Sequence, residues 1–190
     1  RQDVEGVAYE YRVRFFKKRV WRLERRPATE SALKEAAGAV KAAKKPLLIC
    51  GGGVRYSEAH AELRHFVEAT GIPFADTQAG KSTIEWDHPL ALGGVGVTGC
   101  SAANEIAKEA DLVIGVGTRY TDFTTASKWL FKDECKFVNI NVSEFQSLKM
   151  EAIPVVADAK DALPRLEKLL EGYKPAYTNE VKEAQARWRA

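Results

Sequence analysis

The chain lacks the raw material for several kinds of protein. No apolar run approaches the roughly 18 residues that a membrane span requires, and 29% of the residues are charged, so the expectation is a soluble chain. No stretch reads as the h-region of a signal peptide. Cysteine is scarce: Cys50, Cys100 and Cys135 are odd in number and far apart. That spacing fits neither a disulfide framework nor paired metal knuckles, and it predicts a reducing, cytoplasmic setting. The only methionine is Met150 and the first residue is Arg1, which leads us to expect a piece of a longer protein.

What is present suits one core. With 190 residues and 45% hydrophobic content, the chain can bury a single sizeable domain. We expect an arm over residues 1–26, a domain over 27–170 and a linker over 171–190. Charge is uneven. Residues 12–26, RVRFFKKRVWRLERR, hold eight basic residues and one acidic one, whereas the whole chain has a formal net charge of +3. Interleaved Phe15, Phe16 and Trp21 could stack on nucleic acid bases. Equally, Phe16, Val20 and Leu23 fall at i, i+4, i+7 and could form a buried helix stripe. A basic interdomain arm against an acidic neighbour is the reading adopted, with no nucleic acid and no membrane as partners.

Along the body of the chain, short apolar runs alternate with amphipathic stretches. Thr29 can cap a helix running to residue 44. PLLIC then ends on three glycines, Ser57 opens a second helix, and Gly71 stops it. IPFADT, LAL, DLVIGV, KFVNINV and IPVVAD read as strands; SAANEIAKEA and AKDALPRLEKLLEG read as helices. Continuous apolar strands alternating with helices predict an α/β, doubly wound, mostly parallel sheet with helices on both faces. Beyond residue 171 one helix could present Val181, Ala184 and Trp188.

Ligands of such sheets bind beyond the carboxyl ends of the strands, where glycines let backbone approach phosphate. Three strand ends qualify: Gly51, Gly52 and Gly53; Gly94, Gly96 and Gly99 in GVGVTG; and Gly115 and Gly117 in GVGTR. The second is a literal G-x-G-x-x-G, but its preceding strand is short and no acidic partner lies at the right place for a ribose. The glycines therefore either bind a nucleotide or simply make tight strand-to-helix turns. Arg119 and Asp122 follow a buried strand and either face a ligand or pair with each other.

Other motifs fail on spacing. TQAGKST ends like a P-loop, yet Ala75 stands where the first glycine belongs. His60 and His65 are five apart, so a helix turns them away from a common metal. Gly80-Lys81-Ser82 lacks the second glycine of a nucleophile elbow. Cys50 lies inside an apolar strand, where a thiol is inert. No catalytic residue and no metal ligand is assigned.

Taken in order, PLLICGGG, GIPFADTQAGKSTIEWDHPLALGGVGVTG, ANEIAKEADLVIGVGTRYTDFTT, FVNINV and VVADAKDALPRL resemble the central domain of thiamine-diphosphate-dependent enzymes of the acetolactate synthase type. The resemblance covers about residues 27–170. AGKSTIEWDHPLALGGVGVTGCSAAN and QDVEGVAYEY are most similar to a hydrolytic branch that opens a cyclic dione in myo-inositol catabolism. The resemblance implies a parent of three α/β domains. An N-terminal domain would activate thiamine diphosphate through a glutamate, and a C-terminal domain would hold the diphosphate and magnesium through Gly-Asp-Gly. This chain has no Gly-Asp-Gly. Its implied role is a noncatalytic scaffold between those domains in a homo-oligomer, with no cofactor of its own. In flavin-containing relatives the matching loops approach FAD, which implies Gly94, Gly96, Thr98, Arg119 and Asp122 as contacts. Gly52, Gly53 and Gly117 join them as glycine strand ends. The alternative reading is thus an FAD- or ADP-binding central domain.

Overall fold

The computed structural model describes residues 16–189. Six strands form one all-parallel sheet in the order β3-β2-β1-β4-β5-β6: β1 Pro46–Cys50, β2 Phe74–Asp76, β3 Ala91–Gly94, β4 Leu112–Val116, β5 Lys136–Asn141 and β6 Ile153–Val156. The doubly wound α/β expectation holds. Every residue of β1 and of β4 is buried, as strands covered on both faces require.

Alternation along β1 divides the core. Leu48 and Cys50 face a layer built from α1 (Glu30–Ala42), α3 (His60–Thr70) and α7 (Ala159–Leu169). Leu47 and Ile49 face the opposite layer, built from α4 (Ser101–Glu109) and α8 (Thr178–Arg189). Local signals start and stop these helices. The Thr29 hydroxyl accepts the Ala32 N–H at the start of α1, and Gly71 ends α3 at φ 73°.

Ser57 does not open α3. Residues Gly53–Tyr56 form a one-turn helix, α2, and Ser57 caps its carboxyl end. The reason is tertiary: the Gly53 N–H donates to the Gly117 carbonyl at 3.0 Å, which anchors the turn to β4 before α3 can begin at His60. Two more single turns, α5 (Asp122–Thr125) and α6 (Glu144–Ser147), follow β4 and β5.

Segments near both ends of the described chain are tied to the body of the domain. Residues 18–29 carry no helix, and Phe16, Val20 and Leu23 are exposed, so the buried stripe is not formed. Arg25 instead reaches Asp158 at 3.1 Å and the Ser57 carbonyl at 2.6 Å. Phe15 and the other residues before 16 lie outside the described residues. At the far end α8 packs on α4 and buries Val181 and Ala184. Gln185 donates to the Pro89 and Ala91 carbonyls at 2.9 and 2.8 Å, which covers the edge strand β3.

Candidate functional site

β1 and β4 are neighbours from which the chain winds in opposite directions, so the switch point lies between their carboxyl ends. A cleft of about 490 Å³ opens there. Five of the residues singled out in the sequence line it: Gly52, Gly53, Thr98, Gly117 and Arg119. Gly94, Gly96 and Asp122 do not. Asp122 is an exposed first residue of α5, and no ion pair joins it to Arg119 among the described residues.

The glycines are used chiefly by one another. A Cβ on Gly53 would lie 2.6 Å from the Gly117 Cα, and Gly117 itself holds φ +61°, a conformation that favours glycine. The Gly51 and Gly53 amides, which a phosphate would need, already donate to the Val116 and Gly117 carbonyls at 2.8 and 3.0 Å. In GVGVTG, Gly96 lies at φ +102° and a Cβ there would strike the Phe123 carbonyl. Asn104 clamps the same residue, accepting its N–H and donating to its carbonyl, both at 2.9 Å. Close packing of backbone against backbone thus explains these glycines, and two of the three amides of the β1 turn are already used within the fold.

The residues the sequence reading missed are polar and uncharged. Gln78 donates to the Thr98 hydroxyl at 3.1 Å, bridging the loops after β2 and β3. Asn141 donates to the Thr118 carbonyl at 2.9 Å and accepts the Ser143 N–H at 3.0 Å. Their position just after strand ends was the available signal. Among the described residues, Arg119 is the one charged side chain in the lining, and no carboxylate, histidine, cysteine or lysine is there. Hydroxyls without a neighbouring base are weak nucleophiles, so the cleft can hydrogen-bond and offer one cation but is not equipped for acid–base chemistry.

The failed motifs have structural explanations. In TQAGKST the Gly80 N–H bonds back to Thr77, and the Thr83 hydroxyl donates to the Gly80 carbonyl at 2.7 Å, a turn closed by its own hydrogen bonds. His65 pairs with Glu167 at 2.8 Å, and that hydrogen bond raises its pKa. Burial pushes the Cys50 thiol up to about 12. Among the described residues no group of three His, Cys, Asp or Glu side chains could hold a metal ion. These residues do not fit a magnesium–diphosphate site. Nor is any described helix long and apolar enough to cross a membrane.

The thiamine pyrophosphate enzyme, central domain, family matches residues 33–166. The chain is 56% identical over 190 residues to 3D-(3,5/4)-trihydroxycyclohexane-1,2-dione hydrolase 1 of Bacillus cereus, covering 98% of this chain and 30% of that protein. It is 54% identical, with the same coverage, to the 3D-(3,5/4)-trihydroxycyclohexane-1,2-dione hydrolase of Clostridium tetani. The chain therefore spans under a third of the length of these curated relatives. A solved structure of a putative thiamin diphosphate-dependent enzyme from Mycobacterium smegmatis superposes with a TM-score of 0.68 at 22% identity, covering 84% of this chain and 31% of that one. This last likeness concerns the fold.

Proposed function

Because the chain belongs to the central-domain family of thiamine pyrophosphate enzymes, we propose that it is the noncatalytic scaffold domain of a thiamine-diphosphate-dependent hydrolase. The parent would open the ring of trihydroxycyclohexanedione by C–C cleavage in myo-inositol catabolism. The observation that carries this reading is the chemistry of the cleft: among the described residues its lining has one cation, Arg119, with hydroxyls, amides and glycines, and no carboxylate, histidine, cysteine or lysine. High identity to two hydrolases over nearly the whole chain supports the substrate class.

In this proposal thiamine diphosphate and magnesium belong to the N- and C-terminal domains of the parent, which works as a homo-oligomer in the cytoplasm. Three free cysteines agree with a reducing compartment. The domain contributes rigidity. Its loops are locked to one another by glycine contacts, and its ends are clamped through Arg25 and Gln185.

The test compares the purified 190-residue chain with a parent-length chain, each supplied with thiamine diphosphate, magnesium and the cyclic dione. Ring opening by the longer chain alone is the expected result. A parent-length chain that ignores the dione but condenses 2-oxo acids would overturn the hydrolase assignment.

A further inference from the structure

The cleft between β1 and β4 holds a cation with nothing beside it to balance the charge. Arg119 lines the wall and is exposed, and among the described residues no carboxylate pairs with its guanidinium. Its backbone is tied down: the Arg119 carbonyl accepts the Lys149 ammonium at 3.0 Å, and Lys149, which lies 5.7 Å from the Phe145 ring centre, is not itself in the lining. Across the cleft stand Gln78 and Thr98, both exposed and joined at 3.1 Å. Whichever way the amide is turned, that bond leaves the pair at least one donor and one acceptor, which two neighbouring hydroxyls of a ligand match. In the sheet order β2-β1-β4, the loops carrying Gln78 and Arg119 follow strands two spacings apart, roughly 10 Å. That gap suits a molecule of sugar size, as does the cleft volume of about 490 Å³. Tyr56 and Phe123 line the same cleft and are 93% and 63% exposed, so ring surface is free for the C–H groups of a carbon chain.

Each feature narrows the ligand. One unpaired cation asks for one negative charge, since a guanidinium that loses water on binding needs a partner. A diphosphate carries more charge than Arg119 balances, and the Gly51 and Gly53 amides already donate to the Val116 and Gly117 carbonyls. A neutral polyol leaves Arg119 unmatched. An acid without hydroxyls leaves Gln78 and Thr98 unmatched, and polar groups that lose water without a partner weaken binding. A carboxylate bearing several hydroxyls satisfies all of them. Among the described residues the lining has no carboxylate, histidine, cysteine or lysine to serve as a base, so such a ligand binds there without reacting.

We propose that this cleft binds a small polyhydroxylated monocarboxylate, with the carboxylate on Arg119 and two hydroxyls on Gln78 and Thr98. The proposed reaction generates a member of this class. When one water cleaves the bond between adjacent ring carbonyls, its hydroxyl goes to one carbon, which becomes a carboxyl. Its hydrogen goes to the other, which becomes an aldehyde, and the ring hydroxyls remain. The carboxyl is ionised near neutral pH, so the product carries the charge that the neutral dione lacks. The cleft would then respond to product and not to substrate, a regulatory role for a domain without chemistry of its own. The ligand class follows from the cleft, whereas its identity with the product rests on the proposed function.

Isothermal titration calorimetry of this chain with D-gluconate, an open-chain member of the class, tests the proposal against two controls. Myo-inositol has the hydroxyls without the charge, and butyrate has the charge without the hydroxyls. Gluconate should bind, and both controls should bind at least about tenfold more weakly. Arg119 and Gln78 are both exposed, so their replacement leaves the core intact. Arg119→Gln should weaken gluconate about tenfold or more, the loss of one charge-assisted hydrogen bond, and Gln78→Ala about two- to tenfold. Absence of gluconate binding up to roughly 10 mM would overturn the proposal. So would either control binding as tightly as gluconate, or undiminished binding by the Arg119→Gln variant. Gluconate binding by this chain, beside a parent-length chain that ignores the cyclic dione, would uphold the site and count only against the proposed function.

Discussion

Asp76 ends β2 with a side chain that the fold prefers protonated. Its Oδ1 atom is buried with no hydrogen-bond partner among the described residues, and burial raises the carboxyl from 3.8 to about 7 although Lys81 pulls the other way. A carboxyl whose pKa is higher in the folded than in the unfolded chain stabilises the fold below the unfolded value. That contribution is lost as pH rises through the folded value. Between 3.8 and about 7, at about 1.36 kcal/mol per pH unit, the loss amounts to about 4 kcal/mol as an upper figure. Asp76→Asn keeps the shape and removes the charge. The variant should match the parent protein near pH 4 and exceed it progressively, levelling off above pH 7 with a gain of about 2–4 kcal/mol. Urea titrations of both proteins at pH 4, 6 and 8.5 measure the difference, in which all other titrating groups cancel. Cys50 and Cys135, both pushed up to about 12 mainly by burial, stay neutral over that range. A difference that does not change with pH, or an Asn variant less stable at pH 8.5, would refute the reasoning.

Three other perturbations follow from the contacts. Gln185→Ala leaves two carbonyls of the β3 edge without their donor, and should cost about 1–3 kcal/mol in denaturant titrations while loosening α8 in hydrogen exchange. Gly117→Ala places a methyl group 2.5 Å from the Gly53 Cα at φ +61°; a loss of about 2–4 kcal/mol is expected from strain and overlap, read as a lower midpoint in thermal unfolding. Tyr120→Phe removes a buried hydroxyl that has no partner among the described residues, and should leave stability unchanged or raise it by about 1 kcal/mol; a clear loss would show that the hydroxyl is hydrogen-bonded in solution.

Much of the fold was legible because its signals are local. PLLIC and LVIGV are fully apolar and became the two central strands, and Thr29 and Gly71 bound their helices through contacts within four residues. The site was harder to read because its logic is long-range. Gly53 and Gly117 are 64 positions apart in the numbering yet each excludes a side chain from the other, so a pattern that looks like a phosphate cradle in one dimension is backbone packing in three. The same holds for Ser57, a plausible cap whose place was decided by the bond from Gly53 to β4. Gln185 and Ala91 are 94 residues apart, and no local rule joins a terminal helix to a sheet edge. The resemblance of ordered blocks to a family succeeded where single motifs misled, because block order records the whole topology.

Native mass spectrometry of this chain, before and after incubation with thiamine diphosphate, FAD and ADP, tests the scaffold reading most directly. The account predicts the bare mass of the chain in every case. A stoichiometric adduct with any of the three would contradict it, and would make the cleft between β1 and β4 a working cofactor site.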